Sequence, residues 1–349
     1  MLTVLLQPML RTLGGVTAAT LYIADTLLAN GEDVLIVTKK KQNLVHYEIE
    51  DISEYYAIKN VTPKHVTAYD YESVYSAVGD SYSTEFIDLL RSADRVFSFD
   101  EGLSLMPDNV GGLKNFDQYY HFPSPAAPPS LKAGIYCNSK FTAQYIEQYY
   151  HRKATVLYPI PDPAFYNHSK SFEERDIDVL YVGRLSSDKN IEAIRYLSNK
   201  GFSIVIGGAA WYDNQSPALD GIDAEVKRSQ TIKDLIDLYS RSKVFVSVKG
   251  MGTNEPLRME HFGICTVEAA YSGAVPVVHR SGGPYIDFLG EGRVYGRSYT
   301  TAFEMVESVN WLLSSKDKWQ AFSENAYRRG LELRAKSEKA ISLNNYKRI

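Results

Sequence analysis

The stretch MEHFGICTVEAAYSGAVPVV, residues 259–278, decides how the rest of this chain is read. Two carboxylates, Glu260 and Glu268, stand eight positions apart with Gly263 between them. If Ile264 opens a helix, then Ile264, Val267 and Tyr271 recur at the i, i+3, i+7 spacing of a buried face. Glu268 falls at i+4 on that same face, where an apolar side chain belongs. Burying a carboxylate is costly unless hydrogen bonds meet it, so Glu268 is expected to hold something. AVPVVHR (274–280) then reads as a strand, so the stretch is a helix feeding a buried strand.

The same alternation extends in both directions. Upstream, DVLYVG (178–183) is a strand, NIEAIRYLSNK (190–200) a helix stopped by Gly201, FSIVIGG (202–208) a strand, TIKDLIDLYSRS (231–242) an amphipathic helix and KVFVSV (243–248) a strand. The first half opens with the strand LTVLLQ (2–7), a glycine pair at Gly14–Gly15, the helix VTAATLYIADTLLAN (16–30) and the strand DVLIVT (33–38), with RVFSF (95–99) and AGIYCN (133–138) as further strands. Apolar strands alternating with helices predict a mostly parallel sheet in each half. YPIPDPAF (158–165), with three prolines, is the expected link. The expected fold is therefore α/β, two Rossmann-like doubly wound domains facing a cleft. They span 1–162 and 163–325, with 326–349 returning to the first.

Length and composition bound the function. The chain has 349 residues, 44% hydrophobic and 23% charged, with a formal net charge of −4. That balance lends no electrostatic support to a nucleic-acid partner. The charge is uneven: residues 1–165 carry 13 Lys and Arg against 19 Asp and Glu, leaving 25 against 23 for residues 166–349. An anionic small molecule is better placed on the second half. Cys137 and Cys265 are the only cysteines, far apart in apolar segments, which indicates neither a disulfide framework nor a zinc site. MLTVLLQPML lacks the basic start of a signal peptide, and no apolar run approaches a membrane span. The expectation is a cytoplasmic protein, with peripheral membrane contact left open. Lys39–Lys41 suggests such a docking patch, but the acidic residues behind it favour a solvated face.

In doubly wound sheets, ligands bind beyond the carboxyl ends of the strands. Three loops of the second half qualify: GRLSSDKN (183–190), GMGTNEPLRMEHFG (250–263) and SGGP (281–284). The first brings Arg184 and Lys189. The second brings Glu260 and the open amides of Gly263, Ile264 and Cys265 at a helix start, which suit an anion. Cations and a helix end opposite two carboxylates describe a ligand with phosphate at one end and hydroxyls at the other, the polarity of a nucleotide sugar. The chain contains no G-x-G-x-x-G, no G-x-x-x-x-G-K-[ST], no G-x-S-x-G and no H-E-x-x-H, so dehydrogenase, P-loop, hydrolase and zincin chemistry lack their motifs.

The E-x7-E pair inside EHFGICTVEAAYSGAVPVVHRSGGP resembles the retaining GT-B glycosyltransferases of family 4. GGVTAATLYIADTLLANGEDVLIV (14–37), CNSKFTAQYIEQYY (137–150), VLYPIPD (156–162) and VGRLSSDKN (182–190) are similar to the family's segments in the same order. EHFGI, SGGP and YYHFPSP (119–125) are most similar to the mannosyltransferases that extend lipid-linked oligosaccharides. The resemblance implies a hexose moved from a nucleotide sugar to a glycan or lipid-linked acceptor hydroxyl, with GDP-mannose as first donor. UDP-glucose and UDP-N-acetylglucosamine are the alternatives, and a non-catalytic sugar-nucleotide-binding subunit is a further one. It also implies roles. Arg184 and Lys189 clamp the diphosphate, and Glu268 accepts hydrogen bonds from the ribose. Glu260 and the Phe262–Gly263–Ile264 backbone hold the sugar. Gly15 approaches the phosphates, and His121 lies beside the donor sugar. The insertion GMGTNEPLRM departs from the family pattern.

No cofactor is implied, and no metal. Asp176 and Asp178 form a D-x-D, but they stand at the start of the strand DVLYVG and so lie at the wrong end of the sheet. Asp100 and Glu101 are the remaining acids at a strand end, in the acidic half.

Overall fold

The structure, a computed structural model, describes residues 1–7, 10, 14–39, 56, 58–69, 84–99, 110–126, 128–185, 189–208, 219–228 and 231–341. The chain divides into two compact units, Met1–Pro161 with Ala335–Ile349, and Asp162–Arg334. Lys40, Lys41 and the acidic stretch behind them, Asp100, Glu101 and Ser186–Asp188 lie outside the described residues.

The first unit contains β1 (Leu2–Leu6), α1 (Gly15–Ala29), β2 (Asp33–Lys39), β3 (Val66–Tyr69), α2 (Thr84–Ser92), β4 (Arg95–Ser98), β5 (Phe116–Tyr120), β6 (Gly134–Cys137), α3 (Lys140–Tyr150) and β7 (Thr155–Val156). Its strands form one parallel sheet in the order β3-β2-β1-β4-β5-β6-β7. β1 pairs with β2 and β4 on its two sides, so Val4, Leu5 and Leu6 are fully buried, as an uninterrupted apolar run requires. Burying each such side chain stabilises the unit by about 1.5–3 kcal/mol.

β5 is the strand that composition conceals. Its sequence FDQYY carries Asp117 and Gln118, yet every residue is buried. Asp117 Oδ2 accepts from Arg95 Nε at 2.7 Å, and Gln118 Oε1 accepts from the Ser130 amide at 2.8 Å. Neighbouring elements meet the Asp117 carboxylate and the Gln118 carbonyl oxygen, as burial requires, while Gln118 Nε2 is buried without a hydrogen-bond partner.

The second unit contains β8 (Ile177–Val182), α4 (Arg195–Ser198), β9 (Ile204–Gly208), β10 (Glu225–Arg228), α5 (Ile232–Arg241), β11 (Ser242–Ser247), α6 (Ile264–Tyr271), β12 (Val275–His279), β13 (Arg297–Tyr299), α7 (Ala302–Leu313) and α8 (Lys316–Ile341). The parallel order is β10-β9-β8-β11-β12-β13. The chain runs outward from β8 to β10, then returns to the other side of β8 as β11. The loops leaving β8 and β11 therefore part in opposite directions, and a crevice opens at their carboxyl ends.

Three sequence expectations are corrected. The segment at 190–200 is a 3-10 turn, Ile191–Ile194, running into the short α4, not one regular helix. Asn190 sits at φ +54 and donates from Nδ2 to the Met251 carbonyl at 2.6 Å, so its loop contact overrides helical geometry. α6 is buried on all sides from Thr266 to Tyr271, whereas Ile264 is half-buried; its apolar residues do not form a single stripe. The second unit extends to Arg334 and not only to 325, because α8 is one uninterrupted helix of 26 residues. Beyond Arg334 the helix belongs to the first unit, where Ser337 Oγ donates to the Tyr158 carbonyl at 2.7 Å. Among the described residues, no helix is long and apolar enough to cross a membrane.

Candidate active site

The second unit gathers its polar groups at the crevice between β8 and β11. Lys189, from the loop after β8, places Nζ 3.2 Å from Glu260 Oε2, from the loop after β11. Both side chains are mostly covered, 19% and 24% exposed, so the pair is shielded enough from water to be electrostatically strong. The Asn190–Met251 hydrogen bond ties the same two loops a second time.

The loop after β12 closes on the other side. The Gly283 amide donates to the Glu260 carbonyl at 2.8 Å. A Cβ on Gly282 would strike the Glu260 carbonyl oxygen, and one on Gly283 the His261 carbonyl oxygen. The SGGP sequence is therefore what lets this backbone lie against Glu260 and His261. Gly263 caps α6 at φ +81, where a side chain would be strained and would meet Pro284 Cγ at 2.7 Å. It leaves the first amides of α6 without a side-chain cap.

Charge in this cluster is predominantly positive. Burial pushes the Glu260 carboxyl up, but the charges of Lys189, Lys249 and His261 outweigh it and bring the pKa down to about 2. Burial pushes the Lys189 ammonium down; Glu260 more than restores it, against the opposing charge of Arg184. Arg184 follows β8 and Gly183 with an exposed side chain. Lys249, just beyond β11, is a cation that the sequence reading passed over; its position at a strand's carboxyl end was the available signal.

His261 was also missed. It is 5% exposed, and burial, reinforced by Lys249 and partly opposed by Glu260 and a hydrogen bond with the Pro256 backbone, lowers its pKa to about 4. The unfolded chain protonates this ring near 6.5, whereas the folded one resists until about 4. Unfolding therefore takes up a proton throughout that window, and stability falls as pH falls from 6.5 toward 4, by up to about 3 kcal/mol. His261→Gln is expected to flatten the pH dependence of the urea midpoint across that window. An unchanged slope would refute this assignment. The Glu260 contribution is present above about 4.5 and is lost lower, as pH falls toward 2.

Glu268 is 6% exposed and held by two phenols. Tyr166 donates to Oε1 at 3.2 Å and Tyr239 to Oε2 at 2.9 Å. Tyr239 also hydrogen-bonds Cys265, whose thiol is pushed up by burial and by Glu268. Arg175, 2% exposed, underlies both helices that bring these groups in. Its guanidinium donates to the carbonyls of Ser242 at 2.7 Å, Tyr239 at 3.3 Å, Ser272 at 2.8 Å and Lys170 at 3.2 Å, and stacks over Trp319 at 4.9 Å. It caps the carboxyl ends of α5 and α6 together, and burial lowers its pKa to about 10.

Lys189, Glu260, Gly263, Ile264 and Glu268 thus converge in the second unit, with Arg184 in electrostatic range and Phe262 buried just before the α6 cap. His121 and Gly15 belong to the first unit. His121 follows β5, 5% exposed, its ring 4.9 Å from that of Tyr119, 6.0 Å from Phe99 and 6.1 Å from Phe122. Its carbonyl accepts from Asn138 Nδ2 at 2.9 Å. Gly15 opens α1 beyond β1, with open space where a Cβ would stand. Tyr56 Oη receives the neighbouring Gly14 amide at 2.6 Å and donates to its carbonyl at 3.1 Å.

Residues 165–329, nearly all of the second unit, match the family profile described as Glycosyl transferases group 1. Over those residues the second unit is similar to the group 1 glycosyltransferases. The chain is an enzyme of the glycosyltransferase class. No curated protein sequence matches the chain. Among solved structures, Anabaena HepE in complex with UDP-glucose is 15% identical, covering 97% of this chain and 98% of its own, at a TM-score of 0.73. Sucrose-phosphate synthase from Thermosynechococcus elongatus is 12% identical, with 97% and 96% coverage and a TM-score of 0.70. An α-glucosyltransferase in complex with UDP and a 13-mer DNA containing an HMU base is 15% identical, with 97% and 99% coverage and a TM-score of 0.68. At these identities the likeness is one of fold: the chain has the GT-B fold, with two Rossmann-like parallel-sheet units.

Proposed function

We propose that this glycosyltransferase moves a hexose from a nucleoside-diphosphate sugar to an acceptor hydroxyl with retention at the anomeric carbon. The observation that carries the reading is the Lys189–Glu260 pair across the crevice, flanked by Arg184 and Lys249. Lys189, Arg184 and Lys249 set against the single carboxylate of Glu260 leave the cluster a surplus of two positive charges, which matches the two charges of a diphosphate diester. As the bond from the anomeric carbon to the diphosphate breaks, these cations and the α6 amides stabilise the charge growing on the leaving oxygen. The acceptor oxygen bonds to the same face of the sugar, and its proton passes to the leaving phosphate. Glu260 holds the sugar, and Glu268 accepts from the ribose.

The donor is a UDP-hexose in this reading. HepE and the α-glucosyltransferase were solved with UDP-glucose and UDP, and no neighbour described above supports the GDP-mannose expected from the sequence. The acceptor is a glycan or glycolipid hydroxyl. Although one neighbour was solved with DNA, residues 1–165 carry six more acids than bases, which repels a phosphate backbone. Thermal-shift measurements against UDP, GDP and ADP test the base, since a bound ligand raises the melting temperature by mass action. Product analysis with the stabilising nucleotide's sugars tests the transfer. No shift with any of the three, and no sugar released or transferred, would sink the proposal.

Two further outcomes are expected. His121→Ala lowers turnover by about a hundredfold while free nucleotide affinity stays near wild type, because its assigned partner is the sugar; a wild-type rate would leave His121 as packing for Tyr119 and Phe99. Transfer persists in excess chelator, because fixed cations and a helix end meet the diphosphate. Among the described residues, no group of three or more His, Cys, Asp or Glu is arranged to hold a metal ion. Activity lost to chelator and restored by magnesium or manganese would reverse this account.

A further inference from the structure

We infer that Tyr166 and Tyr239 are positioning residues that set the rotation of the Glu268 carboxylate, and so make the site selective for a vicinal diol over a deoxy sugar. The inference rests on the proposed ribose role of Glu268 and deepens it. A carboxylate on a glutamate side chain turns freely about its last bond, and each of its oxygens accepts more than one hydrogen bond. Here one phenol holds each oxygen, Tyr166 at Oε1 and Tyr239 at Oε2, on a carboxylate that is 6% exposed. A single donor would leave the group free to pivot about that contact. Two donors from different elements fix its plane.

Neither tyrosine is adjacent in sequence, and each is itself locked. Tyr239 is fully buried on α5, and its hydroxyl also meets Cys265, in the first turn of the helix that carries Glu268. Tyr166, 9% exposed, packs its ring 5.7 Å from that of Tyr271, one turn beyond Glu268. Tyr239 directs its hydroxyl proton to Glu268 Oε2, 2.9 Å away. A carboxylate fixed this way presents both oxygens in one plane at a set angle, the geometry that receives two neighbouring hydroxyls together.

The test uses calorimetry on the full chain. The probe is whichever of UDP, GDP and ADP gives the largest thermal shift, together with its 2′-deoxy counterpart. The wild type is expected to bind the ribonucleotide about tenfold more tightly than the deoxy form, the worth of one hydrogen bond to a charged group. In Tyr239→Phe that ratio should fall toward one, with affinity for the deoxy form within about twofold of wild type. A merely structural role would weaken both nucleotides equally and keep the ratio, which overturns the inference. Tyr166→Phe repeats the measurement from the other oxygen, should Tyr239→Phe fail to fold. A wild type indifferent to the 2′-hydroxyl overturns the ribose role of Glu268 itself, and the positioning role with it. A wild type that discriminates, with variants that discriminate equally, overturns only the tyrosines.

Discussion

Replacing Lys189 with methionine is expected to lower kcat/KM for sugar transfer by about a thousandfold, the scale of removing a fixed group that stabilises transition-state charge. Methionine keeps the length and apolar stem of lysine, so packing in the loop after β8 is disturbed little. What disappears is the charge that meets Glu260 at 3.2 Å. Two effects then combine. The leaving diphosphate loses one of its assigned cations, and Glu260, no longer oriented by Lys189, is drawn toward Lys249 and away from its assigned place at the sugar. The loss should appear mainly in kcat, because charge on the leaving oxygen grows only as the bond breaks. Glu260→Gln is the companion variant, which removes the carboxylate charge but keeps its shape. A Lys189→Met enzyme within about tenfold of wild type would show that the pair is a structural strut between two loops and not part of the reaction.

Arg175→Met is expected to cost about 4 kcal/mol or more of stability in the second unit. Each buried acceptor left without its donor costs roughly 1–3 kcal/mol. Arg175 serves four carbonyls, two of them at 2.8 Å or closer. Methionine still covers Trp319 but supplies no donor to the ends of α5 and α6. All three tryptophans of the chain, Trp211, Trp311 and Trp319, lie in this unit, so intrinsic fluorescence follows its unfolding without interference from the first. The urea midpoint should fall sharply with little change in slope. Because α5 carries Tyr239 and α6 carries Glu268, nucleotide affinity should weaken in the same variant. A stability loss below about 1 kcal/mol would mean that water replaces the guanidinium at those carbonyls.

Much of this could be read directly from the sequence. The apolar runs at LTVLL and IDVLYV became central strands, because a strand buried on both faces needs little beyond continuous hydrophobicity. The three loops of the site were placed by the rule that parallel strands present their carboxyl ends to ligands. SGGP and Gly263 stood out as glycines, and close backbone approach is why they are glycines. Glu268 was marked by its misfit: a carboxylate among apolar neighbours on a helix must be met by donors.

The donors themselves were beyond the reach of local pattern. Tyr166 lies 102 positions from Glu268 and Tyr239 lies 29 away; neither has a neighbour that marks it. Lys189 and Glu260 are 71 positions apart and meet only because β11 inserts beside β8. Arg175 shows no motif, and its partner Ser272 is 97 residues on. FDQYY hid as a strand because its aspartate is neutralised by an arginine 22 positions earlier. Periodicity records whether a residue faces inward, a property of its own few neighbours. Which polar group meets it there is set by the order in which strands join the sheet, and that order appears only when the chain has folded.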